Sequence, residues 1–359
     1  MQNVYIFHEN GTKGHYRALI DREQQIGDVK LVFREFSILK KIIKALIKRD
    51  SKTFFKQFVN MWFLLKLLFL KDKTIIVGIA PYDFRLLWYY PLLKKNKYFY
   101  HTSKTTWGYV NYSKRFLAQT SASKKVWNQF ITNATGIFCA TQVVEEQIQT
   151  YYNPKQTCVV NHAINRLYAT ALVMKPEISK IRCLFVGRLE KSKGILLIIE
   201  LIQRLSSEHF EFVFIGKGSL EETIKLQEQE HDNVYFLGFK KDPELKTEYD
   251  KADVFLAPSI KTGPWEELFG MVIIEAMSRG VIPITTDHSG PKGIITSAEN
   301  GFYFREADYT LKAEAELRKL QENHFYLAKL RAKAFVEGQA YSPQAIYKRW
   351  NALLKVSKL

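Results

Sequence analysis

The sequence predicts an α/β protein built from two doubly wound domains, and three observations carry that prediction. Short, almost wholly apolar runs alternate with helix-length segments along the chain, which is the rhythm of a parallel sheet covered on both faces. That rhythm fades once, around Tyr168 to Lys180 near Pro176, and then restarts. At 359 residues the chain is also too long for one ordinary core and long enough for two.

In the first half, Asn3-Val-Tyr-Ile-Phe opens as a strand, followed by the loop Glu9-Asn-Gly-Thr-Lys-Gly14-His15 and a helix. Thr74-Ile-Ile-Val-Gly-Ile, Tyr98-Phe-Tyr-His, Gly136-Ile-Phe-Cys-Ala and Thr157-Cys-Val-Val read as further buried strands. The second half repeats the pattern with Arg182-Cys-Leu-Phe-Val-Gly, Phe212-Val-Phe-Ile-Gly, Val234-Tyr-Phe-Leu-Gly, Val254-Phe-Leu-Ala-Pro and Ile282-Pro-Ile-Thr. Each ends at a turn or a small residue. Residues 1–170 and 181–340 are therefore read as the two domains, with 171–180 as the linker between them. In the last segment, 341–359, a helix is expected to begin at Ser342 with Pro343 in its first turn.

Composition narrows the class of function. Nearly half the residues are hydrophobic, which fits a globular protein and argues against long disorder. Cys139, Cys158 and Cys183 are scattered, odd in number and lack Cys-x-x-Cys spacing, so they read as small buried side chains in a reducing compartment. The N-terminal residues read as a strand rather than a secretory signal. A net charge of +17 fits nucleic acid, anionic lipid or an anionic substrate, but no recognised nucleic-acid motif accompanies it.

The charge is concentrated. Between Lys40 and Lys73 ten Lys or Arg face two Asp, interleaved with Phe36, Leu39, Ile42, Ile43, Leu46 and Ile47 at helical spacing. The lysines fall mostly on the opposite side. The segment Phe58 to Leu70 is strongly apolar but interrupted by Lys66, and it is too short for a bilayer span of about 20 residues. Two readings stand for this region: a basic amphipathic surface resting on anionic headgroups, or ordinary helices packed on a sheet with solvated lysines outside.

In open parallel sheets ligands bind beyond the carboxyl ends of the strands, so the loops that follow strands are where chemistry is sought. Gly187-Arg188-Leu-Glu-Lys-Ser-Lys193-Gly194 follows the first strand of the second domain. A glycine turn with a guanidinium and an ammonium beside a helix start suits a diphosphate; a solvated turn is the alternative. Gly216-Lys217-Gly218-Ser219 is a second glycine turn, without the spacing of a Walker loop or dinucleotide fingerprint. Phe239 and Lys240, after Gly238, suit a nucleobase or ordinary loop packing. Glu267-Leu-Phe-Gly-Met-Val-Ile-Ile-Glu275 reads as a polar loop ending at Phe269-Gly270 and running into a buried helix that begins near Met271. Gly270 permits close backbone approach where helix N–H groups face an anion, and Glu275, deeper in the helix, suits sugar hydroxyls. The pattern points to a ligand that is both phosphate and sugar.

Taken in order, Gly-Arg-x4-Lys-Gly, Gly-x-Gly, Leu-Gly, Ala-Pro-Ser and Glu-x7-Glu resemble the donor domain of the family-four retaining glycosyltransferases (glycosyl transferases group 1). The resemblance runs from about Arg182 to Phe304 and is looser in the first half. It implies the GT-B fold, two Rossmann-like domains facing across a cleft, with an N-terminal acceptor domain, a C-terminal donor domain, and the last helix crossing back to the first domain. It implies that Arg188 and Lys193 neutralise the donor diphosphate, that Glu275 holds the ribose, and that Glu267 lies by the donor sugar. Gly187, Gly216, Lys217, Phe239, Phe269, Gly270 and Met271 would complete the donor site, with Gly11 and Gly14 approaching the phosphates or the acceptor. His101 matches a histidine near the transferred sugar, with a plain strand-end histidine as the alternative. Where the family has Asn-Gly after the last strand of the first domain, this chain has Asn161-His162-Ala163, which leaves His162 without an assigned role. Asp287 to Gly290 and Glu299 to Gly301 match weaker positions and are expected to be turns.

The resemblance further implies retention of anomeric configuration, no metal and no other cofactor; no Asp-x-Asp stands at a strand end to argue for a divalent ion. The expected activity moves a hexose or N-acetylhexosamine from a nucleotide-diphosphate sugar, UDP by family habit, to a bacterial surface polysaccharide or glycolipid. The expected place is the cytoplasmic face of the membrane, held peripherally through Lys40 to Lys73. A phosphorylase of related fold, a catalytically silent carbohydrate- or membrane-binding module and a nucleic-acid-binding protein are the competing readings.

Overall fold

The structure, a computed structural model, describes residues 2–9, 13–105, 107, 120–173, 179–263 and 265–356. Two compact units emerge: Met1–Ala163 together with Pro343–Leu359, and Ile164–Ser342.

The first unit contains β1 (Gln2–His8), α1 (Arg17–Gln25), β2 (Val29–Glu35), α2 (Ile38–Ile47), α3 (Ser51–Leu67), β3 (Thr74–Gly78), α4 (Leu86–Leu93), β4 (Lys97–Thr102), α5 (Ser121–Asn133), β5 (Gly136–Cys139), α6 (Gln142–Tyr151) and β6 (Thr157–Val159). Its six strands lie in the order β2-β1-β3-β4-β5-β6, all parallel. Ile75, Ile76 and Val77 on β3, and Ile137, Phe138 and Cys139 on β5, are almost wholly buried, because helices cover both faces of the sheet. The side chains of Thr120 and Thr141 accept hydrogen bonds from Ser123 and Val144 and so start α5 and α6.

The second unit contains β7 (Ile181–Arg188), α7 (Ile195–Arg204), β8 (Phe210–Lys217), α8 (Glu221–Glu230), β9 (Val234–Phe236), α9 (Glu244–Lys251), β10 (Val254–Ala257), α10 (Met271–Met277), β11 (Ile282–Thr286), α11 (Ser289–Lys292), β12 (Phe302–Phe304), α12 (Tyr309–Glu322) and α13 (His324–Gln339). Its strand order is β12-β11-β10-β7-β8-β9, again parallel. The order reverses direction between β7 and β10, the switch point at which a crevice opens beyond the strand ends. The corresponding reversal in the first unit lies between β1 and β3.

The last helix, α14 (Pro343–Leu354), returns to the first unit and packs on α1 and β6. Trp350 is fully buried there, 4.4 Å from Phe138 and 5.7 Å from Tyr16 between ring centroids.

The two doubly wound α/β domains are thus present, and every strand read from the sequence is found. Two strands were missing from that reading, β2 and β12, and both are edges. β2 carries Lys30, Arg34 and Glu35, polar residues an edge strand tolerates, and β12 is three residues long. The apolar stripe read for the segment that opens the helix at 38–47 is covered only in part: Phe36 is buried and Ile42 half-buried, while Ile43, Leu46 and Ile47 are exposed. The side chains of Leu39 and Lys40 lie outside the described residues.

Candidate active site

The expected site residues fall into two groups, one in each unit. In the second unit, β7 and β8 end in register, with Gly187 opposite Gly216 and Arg188 opposite Lys217. Two exposed cations therefore stand side by side beyond the sheet. The backbones approach so closely that a Cβ at Gly216 would sit 1.8 Å from the Gly187 carbonyl oxygen, and one at Gly218 would sit 2.4 Å from that of Leu189. Only glycine fits either place. Beside them a cavity of about 480 Å³ is lined by Val186, Ile215, Phe239, Lys240 and Leu245 as well as the strand ends. Its volume is in the range of small-molecule pockets. The Lys217 ammonium lies 5.7 Å from the Phe239 ring centroid.

At the switch point the loops after β7 and β10 meet. Lys193 ends a 3₁₀ turn, and Gly194, at φ +70°, has the Pro258 carbonyl where a side chain would be. The Lys193 ammonium pairs with the Glu267 carboxylate at 2.5 Å and lies 4.7 Å from the Trp265 ring centroid. Lys193 and Glu267, read separately from sequence, are therefore partners.

The Glu267 loop is anchored by a segment that the sequence reading treated as a turn. The Glu267 N–H donates to His288 Nδ1 at 3.0 Å, so the ring proton sits on Nε2 and is donated to Glu306 at 3.0 Å. His288 is fully buried. The Gly290 N–H donates to the Glu267 carbonyl at 2.9 Å, and a Cβ at Gly290 would meet the Phe269 nitrogen at 2.4 Å. Ser289 adds a hydroxyl bond to Glu266 at 2.9 Å. Gly270, at φ +93°, then turns the chain into α10 at Met271. Phe269 packs edge-on against Tyr341 at 6.2 Å. Glu275 is half-buried within α10, close enough to Tyr249 that, after burial, its charge helps to hold the phenol well above its usual range.

In the first unit, His101 lies buried at the end of β4, its Nδ1 3.3 Å from the Tyr16 hydroxyl. It belongs to a cluster of four histidines. The ring centroids of His15 and His101 are 5.6 Å apart, those of His15 and His162 4.5 Å, and those of His8 and His15 6.4 Å. Burial lowers the pKa of all four, with like-charge neighbours adding to it for His8, His101 and His162: His8 falls to about 4 and His162 to about 3. The cluster is neutral at pH 7. The His15 Nδ1 is buried without a hydrogen-bond partner. A cavity of about 160 Å³ opens here, lined by His8, Glu9, His15, Gly78, His101 and Lys104 among others, with Glu9 held by Arg85 at 2.6 Å. Gly14 begins a 3₁₀ turn, and a Cβ there would meet nothing within 4 Å. Gly11 lies outside the described residues. His8, His15 and His162 were not foreseen as a group; the available signal was that His8 ends the strand at the first unit's switch point.

Two Rossmann-like α/β domains of this kind make up the GT-B fold. Residues 175–335 match the family model described as Glycosyl transferases group 1. The amylovoran biosynthesis glycosyltransferase AmsK of Erwinia amylovora is 33% identical over 147 residues, 39% of this chain and 36% of that protein. The matched stretches span 36% and 52% of the lengths of the first two curated relatives. Among solved structures, Anabaena HepE in complex with UDP is similar with a TM-score of 0.65 at 15% identity, over 99% of this chain and 100% of that one. The lipopolysaccharide outer core galactosyltransferase WaaB reaches 0.65 at 18% identity, over 99% of each chain.

Proposed function

We propose that this protein is a retaining, metal-independent glycosyltransferase. It moves a hexose or N-acetylhexosamine from a nucleotide-diphosphate sugar to a bacterial surface polysaccharide or glycolipid. The observation that carries the reading is the paired strand ends of β7 and β8. There Arg188 and Lys217 flank a glycine-only backbone approach beside a cavity of nucleoside size, with Lys193 and Glu267 at the adjoining switch point. AmsK, an amylovoran biosynthesis glycosyltransferase, and HepE, solved in complex with UDP, support the substrate classes.

The nucleoside lies in the Phe239 cavity and Glu275 accepts the ribose hydroxyls. Arg188 and Lys193 face the diphosphate, and the backbone at Phe269, Gly270 and Met271 approaches the donor beside Glu267. Within the first unit, the turn that begins at Gly14 and the neutral His101 offer hydrogen-bonding groups to a sugar. The bond between the anomeric carbon and the phosphate oxygen breaks, and its electron pair leaves on the nucleoside diphosphate. The acceptor oxygen bonds to the same face of the anomeric carbon and gives its proton to the departing phosphate. Cations aimed at that phosphate stabilise the charge that develops, usually a large catalytic contribution. Lys193, freed from Glu267 by the incoming phosphate, serves this purpose, while Glu267 orients the sugar. No cofactor enters the scheme. The enzyme works at the cytoplasmic face of the membrane, peripherally attached through the basic region from Lys40 to Lys73.

A thermal-shift screen of UDP, GDP, ADP and TDP in the presence of EDTA tests this reading. A shift with one base, strongest for UDP and lost in Glu275→Ala, supports it. No shift with any nucleotide overturns it in favour of a silent binding module.

A further inference from the structure

The α2–α3 hairpin of the first unit is built inside out. On the side of α3 that meets the sheet, Gln57 and Asn60 are buried, at 0% and 3% exposure. They bond to each other at 3.1 Å and to Glu35 at the end of β2, the Gln57 amide donating to its carboxylate at 3.4 Å and Asn60 accepting its backbone N–H at 3.3 Å. The same carboxylate receives Lys41 from α2 at 2.8 Å and Lys56 from α3 at 2.6 Å, so one buried acid ties both helices down. Phe63 and Leu67 are the buried apolar contacts on this face of α3, with Phe63 stacked on Tyr5 at 5.4 Å. The outer side is the apolar one. Ile47, Phe55, Trp62 and Phe69 are 78%, 68%, 60% and 83% exposed, and Ile43, Leu46, Phe58, Met61, Leu65 and Leu68 are exposed with them.

A contiguous exposed apolar surface on a globular protein marks an interaction site, and the charges around this one select its occupant. Lys44, Lys48, Arg49, Lys52, Lys66, Lys71 and Lys73 are exposed on the same hairpin and its exit, against the exposed acids Asp50 and Asp72. Apolar side chains ringed by cations, with a tryptophan among them, match the boundary between anionic headgroups and acyl chains. A second copy of this surface would set the same cations against each other. Among the described residues no helix is long and apolar enough to cross a membrane, so the hairpin lies in the interface and does not span.

We propose that the α2–α3 hairpin inserts its apolar face into the acyl boundary of an anionic membrane and holds the first unit there by burial of hydrophobic side chains. The inference rests on the peripheral attachment proposed above and changes its nature: the lysines steer and orient, and the phenylalanines and Trp62 anchor. It accounts for buried polar residues beneath exposed apolar ones, an arrangement that costs stability in water and is relieved in lipid. The hairpin starts beyond the carboxyl end of β2, and α3 runs back along the sheet to the amino end of β3, where the Leu70 carbonyl accepts a hydrogen bond from Asn96.

The test uses the full chain with vesicles of phosphatidylcholine and phosphatidylglycerol whose acyl chains carry bromine, following tryptophan emission and sedimentation. The expected result is a blue-shifted emission quenched by the bromines, a change absent in Trp62→Phe although that variant still binds. Once bound, the protein stays bound in about 1 M salt, where the screening length is only about 3 Å. The triple variant Phe55→Ser, Trp62→Ser, Phe69→Ser keeps its thermal midpoint in solution and loses partitioning by ~1000-fold or more, since each anchor is worth about tenfold or more. Binding that salt reverses, without quenching, overturns insertion and leaves electrostatic attachment standing. Equal binding to purely phosphatidylcholine vesicles supports insertion and removes the electrostatic attachment. No vesicle binding, with concentration-dependent dimers masking the hairpin, overturns both.

Discussion

At the scale of single residues the donor site makes separable demands. Glu275 has no place in the proposed chemistry beyond holding the ribose, and a charged hydrogen bond is worth roughly 1.5–3 kcal/mol. Glu275→Ala should therefore weaken nucleotide binding by about 10- to 100-fold with an unchanged thermal midpoint. Calorimetric titration with UDP checks this, and unaltered affinity removes the role. Arg188 stands exposed at the end of β7, so its loss should spare the fold. If it meets charge that grows only as the nucleotide leaves, Arg188→Ala should lower kcat by about 10²–10³ and change KM far less. A change in KM alone would make it a binding residue only. The strand end at Arg188 and the helix that carries Glu275 were legible because each stands beside its own glycine turn in a short stretch of sequence. His288 was not. Its importance comes from reaching Glu267, 21 residues earlier, through a backbone N–H, and a bond to main chain leaves no mark in the side-chain pattern. The histidine cluster was hidden for a similar reason, being drawn from the ends of three strands and one turn.

At the scale of elements, the strand ends that form the site are tested through their glycines. Gly216 has φ +152° and the Gly187 carbonyl where a Cβ would stand. Gly216→Ala must push β7 and β8 apart at Arg188 and Lys217, and should cost roughly 3 kcal/mol. Urea unfolding would measure this, and nucleotide binding should fall in parallel. A stable variant that binds normally would show that the close approach of the two backbones is dispensable. Central strands were legible because burial on both faces writes a continuous apolar run. Edge strands β2 and β12 were not, since one is diluted by charges and the other is too brief to register. The hairpin was legible as two helices, while its face stayed open between a lipid-resting surface and ordinary packing. Periodicity reveals that a helix has an apolar side, but the side that meets the protein depends on Gln57, Asn60 and Glu35, whose pairing needs the fold.

At the scale of the whole molecule, pH acts through the first unit. In the unfolded chain histidines take up protons near pH 6.5. In the folded one, burial lowers all four, His8 to about 4 and His162 to about 3. Between these limits the unfolded state binds more protons, so stability rises with pH there. The contribution is complete above about pH 6.5 and is lost progressively as pH falls through the lowered values. Thermal midpoints recorded from pH 7 downward should decline accordingly, and His8→Gln with His162→Gln should flatten the decline. A flat profile in the parent protein would mean that the cluster opens to water.

The return of α14 to the first unit has a consequence for biosynthesis. The chain leaves the ribosome from its N-terminus, yet Trp350 and its neighbours, which cover Tyr16 and Phe138, are translated after the entire second unit. During elongation the second unit has all its parts while the first still lacks a wall, so the domain begun first is the one finished last. A nascent chain halted before residue 343 would carry a bare apolar face on its oldest domain, the kind of surface that a trigger-factor-like chaperone shields until translation ends.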